Sequence, residues 1–283
     1  MKPENVLRIL LGYAERDENI RAVLAEGSRA FGAVDGYSDF DIVYVTISSK
    51  PYFNGAILPF LTDKFGEIAV MQTPDNGDPH FVYTHLIQFQ SGIRIDLTFN
   101  SAEFLSRTPL ESATKVLLDK DGLFKDIAPP CDSDFWLKGP SEEEFLSKCN
   151  EFWWCCPYVA KAVARGQTLY AIEQLGGLIR KEYTAMLAYL AGAINGWDRV
   201  NTGKYHTDIK RYLPIDKAHY YDALIDSYVH ACENAITAAL DTLMEKYGTL
   251  AAEVADLLGY RYNHSEMSRC IQFVKDNYKM RKG

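Results

Sequence analysis

AVLAEGSRAFGAVDGYSDFDIVYVT, residues 22–46, is the stretch that decides the fold. It begins with a short apolar strand, turns at Gly27 and Ser28, passes through a glycine-rich loop, and ends in a second strand that opens with two carboxylates. Asp39 and Asp41 are two residues apart, and side chains at positions i and i+2 of a strand point to the same face. The pattern therefore predicts two carboxylates that leave one face of a sheet together.

These two carboxylates and the preceding turn indicate a chemistry. Adjacent carboxylates repel each other unless a cation lies between them or one of them takes a proton. Oxygen-only ligands on a rigid strand suit a hard ion such as Mg²⁺. The turn offers backbone N–H groups and a hydroxyl, which are the donors that phosphate binds. A phosphate-binding turn next to metal-binding carboxylates indicates chemistry on a nucleoside triphosphate. The alternative is that Asp-x-Asp and Gly-Ser have only structural roles.

A third carboxylate, Asp96, lies in the segment SGIRIDLTFN at residues 91–100. Apolar residues at the odd positions alternate with polar residues at the even ones, which predicts a strand with Asp96 on its polar face. A strand with one aspartate beside a strand with two can build a three-carboxylate site. The alternative is that Asp96 faces solvent and only pairs with Arg94.

The order of these motifs resembles a known family. Gly27-Ser28, ten intervening residues, the triplet at 39–41 and a distant strand aspartate are similar to the nucleotidyltransferase pattern of the DNA polymerase beta superfamily. Seven segments in order narrow the resemblance to the aminoglycoside 6-adenylyltransferases, which act on streptomycin. They are AEGSRA, SDFDIVYV, FGEIAVMQTP, IRIDLTF, KVLLDKDG, CNEFWWCCPYVAKAVARGQTLYAIEQL and TGKYHTDIKRYL. The resemblance covers nearly the whole chain and is weakest at the C-terminus.

The resemblance implies Mg²⁺-dependent transfer of AMP from ATP to a hydroxyl group of a streptomycin-like aminoglycoside. Pyrophosphate is released and the antibiotic is inactivated, so the family confers antibiotic resistance. Asp39 and Asp41 would bind Mg²⁺, with two ions in the manner of a two-metal site. Asp96 would complete the metal site or accept the proton of the attacking hydroxyl.

The phosphates would be held by the turn and by cations. Gly27 and Ser28 would cradle them, and Arg29 would add positive charge unless it is an ordinary surface residue. In the family, a Gly-Lys pair and a second Lys three residues later occupy the position of TGKYHTDIKRYL. Lys204 matches the first Lys, whereas Thr207 stands in place of the second. Lys210 could replace that second Lys. Without the resemblance, Lys204 can equally be a solvated loop residue.

Acceptor-binding residues are expected among acidic and aromatic side chains of the matching segments. The acidic ones would form charge-assisted bonds with amino or guanidinium groups, and the aromatic ones would form a wall. The candidates are Glu67, Glu151, Trp153, Tyr158 and Glu173. Because Trp153 and Trp154 are adjacent in a helical pattern, at most one of them faces a cleft. An aromatic stripe at helical spacing is also typical of a core.

The predicted architecture is a two-domain α+β protein with its site in the cleft between the domains. A mixed-sheet nucleotidyltransferase domain spans residues 1–136, and a helical substrate-binding bundle spans 137–283. Residues 127–140 are the linker, after which Ser141 and Glu144 form a capping box that starts a helix. Strands are predicted at 21–26, 39–47, 68–72, 80–90 and 93–99. Helices are predicted at 4–17, 55–65, 101–107, 109–118, 168–190, 207–213, 216–230, 231–247, 250–258 and 264–279.

The net charge and the cysteine content limit the kinds of partner that the protein is expected to bind. A net charge of −8 and a pI of about 5.3 make a poor nucleic-acid binder, but they suit a polycationic small molecule. The six cysteines lack metal-ligand spacing, so we expect reduced core thiols in a cytoplasmic protein. The N-terminus has charges at helical spacing and is not read as a signal peptide, and no apolar run is long enough for a membrane span. ATP and an aminoglycoside are the expected partners, without nucleic acid or membrane, for a monomer or homodimer.

Two other functions stay open at this stage. The chain could adenylylate another small hydroxylated acceptor or a protein, or it could bind nucleotides without catalysis. The three intact aspartates argue against a non-catalytic protein, whereas Thr207 favours it. The sequence contains no Walker A motif, GxSxG elbow or HExxH motif, and no GxGxxG after a strand.

Overall fold

The computed structural model describes residues 1–32, 34, 38–75, 77–228 and 233–279. The chain divides into two compact units, Met1–Asp134 and Phe135–Gly283. The first unit contains a six-stranded mixed sheet with helices, and the second is helical in its described part. The predicted α+β fold class is confirmed. Part of the glycine-rich loop, residues 33 and 35–37, lies outside the described residues.

The sheet of the first unit has the strand order β3-β4-β5-β2-β1-β6. Only the pairing of β2 with β5 is parallel among the described strands, and the other neighbours are antiparallel. The elements are α1 (Pro3–Arg16), β1 (Ile20–Glu26), α2 (Ser28–Phe31), β2 (Phe40–Thr46), α3 (Leu58–Phe65), β3 (Ile68–Gln72), β4 (Val82–Phe89), β5 (Arg94–Ser101), α4 (Ala102–Leu105) and β6 (Thr114–Asp119).

One face of this sheet packs against α1 and α3. Phe40, Ile42, Ile95 and Leu97 are buried there, in one apolar cluster with Leu10 of α1 and other residues of both helices. Because side chains alternate along a strand, residues at positions 41 and 96 belong to the opposite face. The predicted alternation of β5, with apolar odd and polar even positions, is confirmed. Burial of one face thus determines which way the carboxylates point.

Residues 109–118 were predicted to be helical, and this prediction is wrong. They contain the start of β6, which pairs with the outer edge of β1 through Val23 opposite Leu118 and Leu24 opposite Val116. A short apolar run such as this one has no periodicity that separates a strand from a helix. The open edge of β1, which lies elsewhere in the sequence, is what makes the strand favourable, because its N–H and C=O groups need partners.

The second unit is built from helices that bury a common apolar cluster. The predicted helix at 168–190 is a continuous helical run with a π turn at Leu175–Ile179, where Gly176 and Gly177 lie. The predicted pair at 231–247 and 250–258 is a single helix where it is described. The helices are α5 (Glu142–Ala164), α6 (Thr168–Gln174), α7 (Arg180–Ile194), α8 (Ala218–Asp226), α9 (Glu233–Leu258) and α10 (His264–Lys279).

The cysteines differ from the prediction in part. Cys149, Cys155 and Cys156 are free thiols buried in the helical unit, as expected of core residues. Cys131 is exposed and Cys270 is half-buried, so neither is a core thiol. Cys232 lies outside the described residues. Among the helices described, none combines the length and the apolarity needed to cross a bilayer.

Helix α5 begins with the predicted capping box. The Ser141 side chain accepts a hydrogen bond from the Glu144 backbone N–H at 3.2 Å, and the Ser141 backbone N–H donates to the Glu144 carboxylate at 2.7 Å. The helix continues through Pro157 to Ala164. The reciprocal bonds give acceptors to two backbone N–H groups, those of Ser141 and Glu144, at the exposed start of the helix.

We expect Ser141→Ala to lower the free energy of unfolding of the helical unit by about 1 kcal/mol, because the helix loses its N-cap acceptor. Urea unfolding followed by circular dichroism measures the change. Ser147→Ala is the matched control, since Ser147 is exposed in the same helix and alanine there has the better helix propensity. Equal stability of the two variants would contradict the role of the cap.

Candidate active site

The three predicted aspartates meet at one place on the sheet. Asp41 of β2 lies opposite Asp96 of β5 in the parallel register, and Asp39 immediately precedes β2. Leu86 of β4 continues the same cross-strand row beyond Asp96. All three carboxylates are half-buried. The structure therefore brings together the residues that the sequence singled out on two strands more than fifty positions apart.

The turn after β1 approaches the same carboxylates. Gly27 has φ of +62°, a conformation that glycine adopts without steric cost. A Cβ atom at this position would lie 2.9 Å from Asp41 Oδ2, which is closer than real Cβ contacts. Gly27 is thus required both for the backbone angle and for the close approach. It places the start of α2, with Ser28, directly beside Asp41.

Arg94, at the start of β5, contacts two of the three carboxylates. Its Nε and Nη2 atoms donate to Oδ1 and Oδ2 of Asp96 at 3.0 and 2.9 Å. Its Nε also lies 3.3 Å from Oδ2 of Asp39. The alternative that Asp96 pairs with Arg94 is therefore observed, but the pair lies within the carboxylate site and not apart from it.

Burial and mutual repulsion make ionisation of this site costly. Burial, then the charges of Asp96 and Asp39, raise the pKa of Asp41 to about 6, although Arg94 and Arg29 oppose the shift. Burial also raises the pKa of Asp39, and Arg94 opposes that shift. The site carries more negative charge than its two arginines compensate, which is the state that a bound cation relieves.

Glu26 is a site residue that sequence reasoning missed. It ends β1 directly before Gly27, and burial, then Glu111 and Asp41, raise the pKa of its carboxyl to about 7. The motif EGSR could have indicated it. Glu26 is the last residue of a buried strand and precedes a turn of the kind that binds phosphate, and ionising a carboxylate in such a place costs free energy. The predicted strand at 21–26 already placed it at the edge of the site.

Arg29 braces the backbone that leads into β2. Its Nε donates to the carbonyl oxygen of Asp39 at 2.7 Å, and its Nη2 donates to the carbonyl of Ser38. The guanidinium carbon lies 3.8 Å from the ring centroid of Phe40. Arg29 is therefore neither a free surface residue nor free to reorient without losing these bonds. Its contacts keep Asp39 in position beside Asp41.

Lys204 lies in an unusual loop of the helical unit. Four non-glycine residues have positive φ in the described chain, and all four lie between 197 and 206: Trp197, Arg199, Tyr205 and His206. Such angles are costly and concentrate at functional segments. Lys204 is exposed, with its Nζ 5.7 Å from the Tyr205 ring centroid. Lys210 lies 3.8 Å from a carboxylate oxygen of Asp222, and Thr207 Oγ1 lies against Gly203.

The acceptor candidates differ in burial and in the elements that carry them. Glu67 is exposed in the first unit, and Glu151 and Glu173 are exposed on α5 and α6. Trp153 is a core residue, 2% exposed, whose Nε1 donates to Tyr262. Its neighbour Trp154 is 63% exposed.

Two cavities of the helical unit touch some of these candidates. Trp153, Trp154 and Tyr158 line a cavity of about 470 Å³ between α5 and α10. Glu173 lines a different cavity of about 850 Å³ at the junction of α5 and α6. Both adjacent tryptophans line the first cavity, so the prediction that at most one of them faces a cleft is wrong. They differ in burial, because Trp153 is enclosed whereas Trp154 is exposed.

The carboxylates fit a divalent cation by type and by position. They supply only oxygen atoms, from adjacent strands, which is the donor set of a hard ion. In the described part of the chain, however, no three His, Cys, Asp or Glu side chains are oriented to hold a metal ion together. Both oxygens of Asp96 and one of Asp39 face the Arg94 guanidinium in this structure.

Comparison with known proteins agrees with this chemistry. The sequence matches the family model described as streptomycin adenylyltransferase over residues 1–277. Aminoglycoside 6-adenylyltransferase of Staphylococcus aureus is 28% identical over an alignment of 284 residues, covering 97% of this chain and 98% of the relative. The Campylobacter jejuni protein of the same name is 29% identical, covering 92% and 90%. A crystal structure of an aminoglycoside 6-adenyltransferase from Bacillus subtilis aligns over 98% of this chain and 99% of its own, at 24% identity and a TM-score of 0.47.

The raised pKa of Asp41 leads to a prediction about stability and pH. The native state holds this proton more tightly than the unfolded chain, so native stability falls as pH rises from about 4 to about 6. Asp41→Asn cannot ionise. In metal-free buffer, its advantage in unfolding free energy over the wild type should grow across that window and be constant above it.

Urea unfolding at a series of pH values measures this difference. Asp63→Asn is the control, because Asp63 is an exposed residue of α3 paired with Lys64. A difference between Asp41→Asn and the wild type that does not change with pH would contradict the raised pKa.

Proposed function

Because the chain belongs to the streptomycin adenylyltransferase family, we propose that it transfers AMP from Mg²⁺–ATP to a hydroxyl group of a streptomycin-like aminoglycoside. Pyrophosphate is the second product, and the modified antibiotic is inactive. The observation that carries this proposal is the meeting of Asp39, Asp41 and Asp96 beside the Gly27 turn. The names of the relatives from Staphylococcus aureus and Campylobacter jejuni support an aminoglycoside as the acceptor.

Asp39 and Asp41, with Asp96, are the residues that would hold Mg²⁺, two ions by analogy with two-metal sites. When bound, the cation would neutralise negative charge on the α-phosphate and on the pyrophosphate leaving group. The protein's own contribution is placement: the parallel register holds Asp41 next to Asp96, and Arg29 holds the backbone of Asp39. Fixed carboxylates lose no freedom when the substrate arrives.

Asp96 is also the candidate general base. A carboxylate oxygen of Asp96 would take the proton of the acceptor hydroxyl as that hydroxyl attacks the α-phosphate. In the present structure both Asp96 oxygens accept hydrogen bonds from Arg94. These bonds hold the carboxylate in place and withdraw negative charge from it, so Asp96 becomes a stronger base and a better metal ligand when Arg94 moves away.

The phosphates would be bound by backbone N–H groups and by basic side chains. Backbone N–H groups at the start of a helix lack intrahelical acceptors, so the turn at Gly27 and Ser28 is suited to the triphosphate. Arg29 adds a fixed positive charge at the same turn. We assign Lys204 to the triphosphate from the helical unit, because its loop retains costly backbone angles that a solvated loop does not need.

We assign binding of the acceptor substrate to exposed carboxylates and to one aromatic surface. Glu67, Glu151 and Glu173 are exposed and can form charge-assisted bonds with a cationic acceptor. Trp153 and Tyr158 remain candidates, although Trp153 offers little exposed area and Trp154 offers more. We assign nucleotide chemistry to residues 1–136 and acceptor binding to 137–283, in a cytoplasmic protein that acts as a monomer or homodimer.

Asp39→Asn and Asp41→Asn should each lower the rate of pyrophosphate release by about 10³-fold or more, because each removes a carboxylate that places the charge-neutralising cation. The assay follows pyrophosphate release from Mg²⁺–ATP with and without streptomycin. Asp63→Asn, an exposed aspartate of α3, is the matched control and should retain activity.

The outcomes separate the candidate functions. Aspartate-dependent release that requires streptomycin supports the proposal. Aspartate-dependent release with another acceptor keeps the chemistry and rejects streptomycin as the acceptor. Nucleotide binding without release for any acceptor in a broad panel indicates a non-catalytic protein, and Thr207→Lys is then the first variant to measure.

Gly27→Ala should lower the same rate by about 100-fold, because its Cβ would displace the Asp41 carboxylate by a fraction of an ångström or more. Gly32→Ala is the matched control, since Gly32 has φ of +90° but nothing within 4 Å of an added Cβ. It carries backbone strain of about 1 kcal/mol and should keep most of the activity. Equal losses in both variants would mean that strain, and not contact with Asp41, causes the effect.

A further inference from the structure

Arg94 stands where the carboxylate site needs a cation. Its guanidinium contacts both oxygens of Asp96 and Oδ2 of Asp39 at 2.9–3.3 Å. Asp96 has only 18% of its side chain exposed and Asp39 has 34%, so water alone solvates them incompletely. A guanidinium that bridges two such groups offsets the repulsion that burial strengthens.

A bound metal ion and this guanidinium would use the same carboxylates. A divalent cation would be held by oxygen atoms of the same two carboxylates, Asp96 and Asp39, that Arg94 contacts. Arginine cannot give up its proton at any accessible pH, so the conflict cannot be relieved by titration. Two cations at the same carboxylates repel each other, so the metal ion is bound more favourably when the guanidinium has moved away.

Arg94 has space in which to move. Its side chain is 43% exposed, and Arg94 itself lines a cavity of about 290 Å³ over β3 and β4. Gln88, directly opposite Arg94 in the sheet, and Gln72 are polar residues in the same lining. Their amide groups can accept hydrogen bonds from a guanidinium. The displaced side chain would therefore remain on the same face of the sheet.

We propose that Arg94 is an internal counter-cation of the carboxylate site, which holds Asp39 and Asp96 while no metal is bound and leaves them when Mg²⁺ and nucleotide bind. This inference rests on the proposed function, because it takes these carboxylates to be the metal site. Arg94 is a positioning residue: it keeps the aspartates aimed at one point and makes metal binding depend on nucleotide. A triphosphate adds contacts that offset the lost ion pairs, so the metal ion binds more weakly without nucleotide than with it.

Metal affinity in the absence of nucleotide tests this inference without any turnover. Mn²⁺ binding to the full chain is followed by electron paramagnetic resonance for the wild type, Arg94→Met and Arg94→Lys. Arg94→Met should bind Mn²⁺ about fivefold tighter than the wild type, since one partly exposed ion pair no longer has to break. Arg94→Lys keeps the charge but not the two-pronged contact, and should also bind Mn²⁺ more tightly than the wild type.

Two controls separate displacement from long-range charge. Arg107→Met removes an arginine that is 71% exposed and pairs with Glu103 elsewhere in the first unit, and it should leave Mn²⁺ binding unchanged. If Arg94→Lys matched the wild type while Arg94→Met bound tighter, net charge alone would account for the effect. That result would overturn the proposal.

The movement itself is visible in the side-chain ¹⁵Nε signal of Arg94, identified by its loss in Arg94→Lys. Addition of Mg²⁺ with the unreactive α,β-methylene analogue of ATP should shift this signal and average the guanidinium protons. An unchanged signal while Mn²⁺ binds in an Asp41-dependent manner would overturn the role of Arg94 and leave the metal site intact. Absence of Asp41-dependent metal binding, even with the analogue, would overturn the proposed metal site and this inference together.

Discussion

The parallel pairing of β2 with β5 is the constraint on which the site depends. Its register sets Asp41 beside Asp96 and cannot slip by one residue without turning Ile42 and Leu97 out of the core. The free energy that holds two half-buried carboxylates together therefore comes from the opposite face of the sheet. Burial of apolar residues against α1 and α3 supplies it, and the cost appears as a raised pKa at Asp41.

Several local features reduce or exploit that cost. Gly27 allows the backbone to approach Asp41, Arg29 ties the strand entrance through backbone carbonyls, and Arg94 bridges two of the carboxylates. The three features act on different atoms of one small group of residues. The result is a site whose charges are aligned before substrate arrives, which is the arrangement that electrostatic catalysis requires. In the helical unit, the loop around Lys204 contains four non-glycine residues with positive φ angles, which is a backbone cost of a different kind.

The sequence predicted the strand faces of the three aspartates better than it predicted some of the scaffold. Asp39, Asp41 and Asp96 follow from period-two alternation and from turn chemistry, both of which are local. Residues 109–118 were misassigned because their partner, the edge of β1, lies about ninety positions earlier in the chain. Trp153 was placed on a possible acceptor wall, yet only the packing of α5 against its neighbours shows that it is enclosed while Trp154 is exposed.

By itself, the sequence determined that Asp39 and Asp41 leave one face of a strand, that Asp96 lies on the polar face of another strand, and that a glycine turn precedes the first pair, because strand period and glycine conformation are short-range properties. The pairing of the two strands, which brings the three carboxylates together, was decided by the tertiary structure. The sequence also determined the α+β class and the capped start of α5. Only the tertiary structure decided that Arg94 occupies the carboxylate oxygens, that Glu26 belongs to the site, and that Arg29 is a backbone brace. These features depend on which side chains meet across strands, and contact across strands is set by the register of the whole sheet.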